Sequence, residues 1–200
     1  MSVKDADQFL VEQFQSGDRG AFDALVQRHY RRIYDYAYYF THDVEEAYDI
    51  TQEVFLRAFK ALNGFKGDSS FYTWLYKIAT NACIDHRRRR RVYRRVALYE
   101  DLNVEAGLDR MPDRERLPDE QVLDLEIDEQ IKQAVRQLPE KQRQVFILRH
   151  FEGLSLQEIA DILNRELGTV KAHLFHATRK MRRLLAPYLE EVAVGGHEEG

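Results

Sequence analysis

A single cysteine, Cys83, stands among the 200 residues, so no disulfide can form within the chain and the composition fits a reducing compartment. No apolar run approaches the ~20 residues of a membrane-spanning helix. The start, MSVKDADQFL, has neither the basic opening nor the apolar stretch of a secretory signal. Long alternations of apolar and polar positions, which mark half-buried strands, are missing, and no segment repeats. Carboxylates do not cluster as metal-assisted phosphodiester cleavage would need, so a nuclease finds no support. His173 and His176 lie one helical turn apart, but no cysteine or carboxylate nearby offers a third ligand. These absences leave a cytoplasmic, all-α protein, not an enzyme, with no metal or other cofactor expected.

What the chain does contain is segregated charge. The formal net charge of -4 conceals a block from Arg87 to Arg95 that is nearly all arginine, followed by an acidic stretch from Tyr99 to Gln130. A basic block suits nucleic acid, and an acidic one suits solvent or charge mimicry. Helical spacing of apolar residues predicts helices over Asp5 to Gln15, Ala21 to Phe40, Asp43 to Leu62 and Phe71 to about Arg95. Ser16-Gly17-Asp18, Asn63-Gly64 and Gly67-Asp68-Ser69-Ser70 punctuate them. Between Val96 and Asp119, Gly107, Pro112 and Pro118 fall among acids with little periodicity, which reads as a linker. Helical pattern resumes from Val122 to Leu138 and restarts after Pro139. The expected organisation is therefore two small helical domains, 1-95 and 122-189, joined by an acidic flexible linker, 96-121, and followed by an acidic, disordered tail, 190-200.

Near the C-terminus, Ser155-Leu156-Gln157-Glu158 is a capping box, in which Ser155 and Glu158 each satisfy the other's backbone N–H at a helix start. Ile159, Ala160 and Leu163 form an inner face, and Asn164 tolerates the left-handed backbone of a tight turn. Gly168-Thr169 opens a second helix, with Val170 and Leu174 inward and Lys171, His173, His176, Arg179, Lys180, Arg182 and Arg183 outward. The pattern is that of a helix-turn-helix, whose second helix enters the major groove.

On a helix from Phe71, the positions Phe71, Trp74, Leu75, Ile78, Ala82 and Cys83 form a stripe spaced for burial. Tyr72, Tyr76, Lys77, Thr80 and Asn81 are left on other faces, ahead of the arginines. Rings, an amide and cations together suit single-stranded DNA, whose unstacked bases need flat partners. Opening about ten base pairs costs of order 14 kcal/mol at ~1.4 kcal/mol per step. A base stacked on an aromatic ring returns only ~1 to 3 kcal/mol. A chain that reads unpaired DNA this way must work within a larger machine.

Two further motifs make the chain recognisable. Phe65-Lys66-Gly67 precedes Phe71-Tyr72-Thr73-Trp74-Leu75-Tyr76-Lys77-Ile78-Ala79-Thr80-Asn81, and an acidic helix carries Glu46-Ala47-Tyr48-Asp49-Ile50-Thr51-Gln52-Glu53-Val54-Phe55. Both resemble the extracytoplasmic-function group of bacterial RNA polymerase sigma factors. The resemblance covers about Ala21 to Arg91 and Asp128 to Leu185. It implies that Asp49, Gln52, Glu53, Phe55 and Leu56 dock on the clamp helices of the large subunit of core RNA polymerase, with Tyr48 standing where an acid is usual. It implies that Lys66, Asp68, Ser69, Tyr72, Tyr76, Lys77 and Asn81 meet a flipped base of the promoter's minus-ten element, while Arg87 and Arg88 follow phosphate. Upstream, the resemblance runs through Leu138-Pro139 and Arg143 to Gly168-Thr169-Val170-Lys171. Ser155, Gln157, Lys171, Ala172, His173, Phe175, His176, Arg179 and Lys180 are then the readers of the minus-thirty-five element. His173 and His176 replace charges that the family commonly has, which implies a different upstream preference. In the family the acidic linker threads toward the RNA exit channel, and an anti-sigma factor often joins promoter DNA and polymerase as a partner. Gly168 to His173 also resembles the helix-turn-helix of LuxR-type regulators, which explains only the C-terminal third and would require a receiver or ligand-binding domain upstream.

Overall fold

The computed structural model describes residues 3–99 and 129–195, with side chains over 6–91 and 129–188. Among the described residues every regular element is helical. Two compact units result, the first built on the helices up to residue 99 and the second mostly on those from 129 onward.

In the first unit, α1 (Val3–Gln15), α2 (Gly20–Thr41), α3 (Val44–Ala61) and α4 (Phe71–Tyr99) pack in an array in which α2 lies against each of the others. Local chemistry sets the turns. Gly17 takes φ +106°, a conformation that suits glycine, and Asp18 Oδ1 accepts from the Gly20 N–H at 2.9 Å. His42 closes α2 in the left-handed region, and the Asp43 side chain then accepts from the Glu46 N–H at 2.9 Å as the cap of α3. A 3-10 turn, Leu62–Gly64, ends α3, and Ser70 Oγ accepts from the Thr73 N–H at 3.1 Å to start α4.

The core of this unit is apolar and strongly aromatic. Leu25, Ile33, Tyr36, Val54, Leu62 and Leu75 are fully buried. Phe14, Phe22 and Phe59 meet with centroids 5.1 to 5.7 Å apart, within the range of favourable edge-to-face contact.

In the second unit, α5 (129–136) is followed by α6 (Glu140–His150), with Pro139 at the cap and its carbonyl accepting from the Arg143 N–H at 2.9 Å. α7 (Leu156–Leu163) and α8 (Leu167–Gly195) follow in the chain, and α6 packs on α8. Val135, Leu138, Ile147, Leu148, Ile159 and Val170 are buried here.

Two helices outrun expectation. α4 continues past Arg95 to Tyr99, because Val96-Ala97-Leu98-Tyr99 holds no helix breaker. α8 continues past 189 to Gly195, because after Pro187 the chain meets none until Gly195-Gly196. The body of the expected linker, and the helical pattern from Val122 to Asp128, lie outside the described residues.

Candidate nucleic-acid and polymerase interfaces

The loop before α4 and the helix behind it form one surface. Lys66, Asp68 and Ser69 of the loop are exposed, as are Lys77, Asn81, Arg87 and Arg88 along α4. Tyr72 is half-buried. One of its neighbours is Arg32 of α2, with Cζ 5.7 Å from the ring centroid and Nη1 3.5 Å from the phenol oxygen. Arg32 had no sequence signal, since it belongs to another helix 40 residues away.

Tyr76 is different. It is fully buried, edge-on to Tyr36 at 5.4 Å and tilted against Tyr72 at 4.7 Å. Its expected exposure beside melted DNA is therefore corrected: the side chain builds the core that supports Tyr72. Thr80 is buried too, with its hydroxyl 2.9 Å from that of Tyr36. The buried stripe of α4 runs through Phe71, Leu75, Tyr76, Ala79, Thr80, Ala82 and Cys83, turned around the helix from the expected one. Trp74 and Ile78 sit at its margin, half-buried. Trp74 meets Phe65 at 5.1 Å and Phe71 at 5.7 Å, so it ties the loop to the helix.

On α3, Asp49, Gln52 and Leu56 are exposed and Glu53 is partly so. Phe55 is buried, with its ring stacked at 6.1 Å on Tyr30 of α2, and so leaves the expected docking surface. Its neighbour Leu56 is 51% exposed instead. Acids of α3 also bind bases nearby. Arg57 joins Glu53 at 2.7 Å to Asp85 of α4 at 3.1 Å, and Glu46 meets His86 at 3.3 Å and pairs with Arg90. The hydrogen bonds that Arg57 donates to Glu53 and Asp85 raise the pKa of its guanidinium further, beyond what its burial takes away. A groove of about 460 Å³ is lined by Glu46, Asp49 and Glu53 of α3 and by His86, Arg89 and Arg90 of α4. The arginine block is thus divided: Arg90 ties α4 to α3, Arg87 lies 5.9 Å from the Phe40 ring, and Arg88 points to solvent.

In the helix-turn-helix the capping box is reciprocal. The Ser155 N–H donates to Glu158 Oε2 at 2.9 Å and the Glu158 N–H to Ser155 Oγ at 3.2 Å. Asn164 takes φ +49° at the turn. Val170, Ala177 and Met181 form the buried stripe of α8, and the opposite side exposes Lys171, Ala172, Phe175, His176 and Arg179. Phe175 is 64% exposed, edge-on to His176 at 5.5 Å. Ser155 and Gln157 are exposed at the start of α7.

Two expected readers lie beside the buried stripe. Lys180 donates to the Gln137 carbonyl at 2.6 Å, which satisfies a carbonyl at the end of α5. His173 is half-buried, and burial followed by the charges of Lys141, Arg165 and His176 pushes its pKa below the usual imidazole value. Among the described residues no three His, Cys, Asp or Glu side chains converge to hold a metal ion.

Comparison with known proteins places this arrangement. The family description "Sigma-70 region 2" matches residues 25–93, and "Sigma-70, region 4" matches 128–181. The chain is 40% identical over 193 residues to the RNA polymerase sigma-H factor of Pseudomonas aeruginosa, covering 96% of this chain and 100% of that one. It is 35% identical over 196 residues to the ECF RNA polymerase sigma-E factor of Escherichia coli, covering 94% and 99%. The solved structure of CnrH in complex with the cytosolic domain of CnrY matches with TM-score 0.65 and 25% identity over 91% of this chain and 98% of that one. A region 2 match over the first unit disfavours the LuxR-type alternative, which gave that unit no role. With both regions present and relatives aligned over nearly its whole length, the chain belongs to the extracytoplasmic-function group of the sigma-70 family of RNA polymerase sigma factors.

Proposed function

We propose that this sigma factor divides promoter recognition between its two units and leaves the energy of strand separation to core polymerase. The first unit docks through Asp49, Gln52, Glu53 and Leu56. It captures unpaired minus-ten DNA with Tyr72, the loop residues Lys66, Asp68 and Ser69, and Lys77 and Asn81 behind them. Arg87 and Arg88 follow the phosphates. The second unit reads the duplex upstream with Lys171, Ala172, Phe175, His176 and Arg179, and with Ser155 and Gln157 where α7 begins.

The observation that carries this reading is the pairing of two unlike surfaces. A partly exposed tyrosine beside a polar loop can stack on an extruded base. The exposed row of α8 combines cations for phosphate with an apolar ring for a base edge. A role on promoter DNA with core polymerase supports a cytoplasmic location, and among the described residues no helix is long and apolar enough to cross a membrane. CnrH is held by the cytosolic domain of CnrY. A regulatory partner of the anti-sigma kind is accordingly part of this proposal.

The test is reconstitution with core polymerase on fragments of genomic DNA. Co-elution with core on gel filtration and initiation from a restricted set of sites are expected. Initiation no more selective than that of bare polymerase would overturn the reading.

A further inference from the structure

The helix α1 lies ahead of the region 2 match, which begins at residue 25, and nothing so far gives it a task. It carries a carboxylate that is costly to bury. Asp7 is 2% exposed, yet it accepts from His29 Nε2 at 2.9 Å and from Arg28 Nη1 at 2.6 Å, both on α2. His29 is equally buried, and its ring centroid lies 5.5 Å from Phe71 and 5.8 Å from Tyr72. Those are the opening residues of α4, directly behind the polar loop. Arg32, one turn along α2 from Arg28, meets the same tyrosine.

A buried carboxylate with its partners contributes little net stability compared with apolar side chains of similar volume, because desolvation offsets its attraction. What it does provide is direction. The bond donated to Asp7 fixes the plane of an imidazole that could otherwise turn about χ2, a soft torsion. That plane is the floor on which Phe71 and Tyr72 rest. A tyrosine that must present one face to a base loses affinity if its ring samples other orientations, because each immobilised side chain costs binding energy.

We propose that Asp7 and His29 are positioning residues for the capture of unpaired DNA by Tyr72, so that α1 acts on the minus-ten surface from behind. The inference rests on the reading of Tyr72 as a base-stacking residue. It predicts that loss of the Asp7 bond slows promoter opening while sparing polymerase binding and upstream duplex binding.

The experiment uses full-length protein in holoenzyme and follows opening by permanganate reactivity of thymines in the bubble. Asp7→Asn, which keeps the shape and removes the charge, is expected to slow opening about tenfold, in line with coupling between contacting residues. His29→Gln should do the same. In a Tyr72→Ala background, already slow, Asp7→Asn should cause no further loss, because the residue it serves is gone. An equal fractional loss in both backgrounds would show that Asp7 acts through general stability and would overturn the proposal. So would normal opening by Asp7→Asn where Tyr72→Ala is defective. Normal opening by Tyr72→Ala itself would remove the base-stacking role, and the positioning role with it. Should Asp7→Asn fail to fold, Asp7→Glu keeps the charge and lengthens the arm. It is expected to retain core binding and slow opening, and unimpaired opening would count against the assignment.

Discussion

The first unit and the second differ in how closely support and recognition are interleaved. On α4, Tyr72 and Tyr76 touch at 4.7 Å, yet one is partly exposed and the other fully buried. On α8, the buried stripe of Val170, Ala177 and Met181 lies on one side and Lys171, Phe175 and Arg179 on the other. On the proposed reading, a unit that holds an extruded base needs rings backed by more rings, so its core reaches the surface. A unit that lies in a duplex groove needs only one face of a helix, and the rest is free to pack.

The comparison predicts its largest effect at Tyr76. Tyr76→Ala should destabilise the first unit by about 3 to 5 kcal/mol, the usual cost of removing a buried aromatic. Tyr72→Ala should cost much less stability yet slow promoter opening. Thermal melting and permanganate footprinting of the pair separate the two roles, and similar melting losses would break the contrast.

On α3 the same test applies to adjacent residues. Phe55→Ala should destabilise by about 3 to 5 kcal/mol. Leu56→Ala should leave melting nearly unchanged and weaken binding to core polymerase, measured by titration. A reversed order would return Phe55 to the docking face.

Acid should also separate the units. Burial raises the Asp7 carboxyl, but hydrogen bonds from His29 and Arg28, together with their charges, outweigh it and hold the group below its ordinary value of 3.8. A carboxyl lowered in the folded state stabilises above its unfolded pKa, and that stability is lost as pH falls through the folded value. The melting advantage of the parent over Asp7→Asn should therefore persist from neutral pH to about pH 4 and shrink below it. An advantage unchanged down to strong acid would contradict an ionised Asp7 carboxylate in the folded state.

The smallest effects on stability belong to α8. Lys171→Ala and Arg179→Ala should each shift stability by no more than about 0.5 kcal/mol, as exposed substitutions do. Each should flatten the salt dependence of upstream duplex binding by up to about 0.9 per lost phosphate contact.

The same contrast explains what could be read in advance. The capping box of Ser155 and Glu158, the left-handed Asn164 and the turn at Gly17 were legible because each is settled within a few residues. The loop and the acidic helix were legible as family motifs. The split between Tyr72 and Tyr76 was not, because both lie off the expected stripe and Tyr36, 40 residues from Tyr76, covers one of them. Phe55 was misplaced for a similar reason, its partner Tyr30 being on another helix. Asp7 and His29 gave no signal, since a lone acid and a lone histidine 22 residues apart become a pair only once α1 lies on α2.

The most direct measurement compares two DNA probes with holoenzyme, a single-stranded minus-ten segment and an upstream duplex. The account predicts that Tyr72→Ala weakens the first and spares the second, and that a Lys171→Ala, Arg179→Ala double variant does the reverse. If each variant weakened both probes alike, the division of labour between the two units would be contradicted.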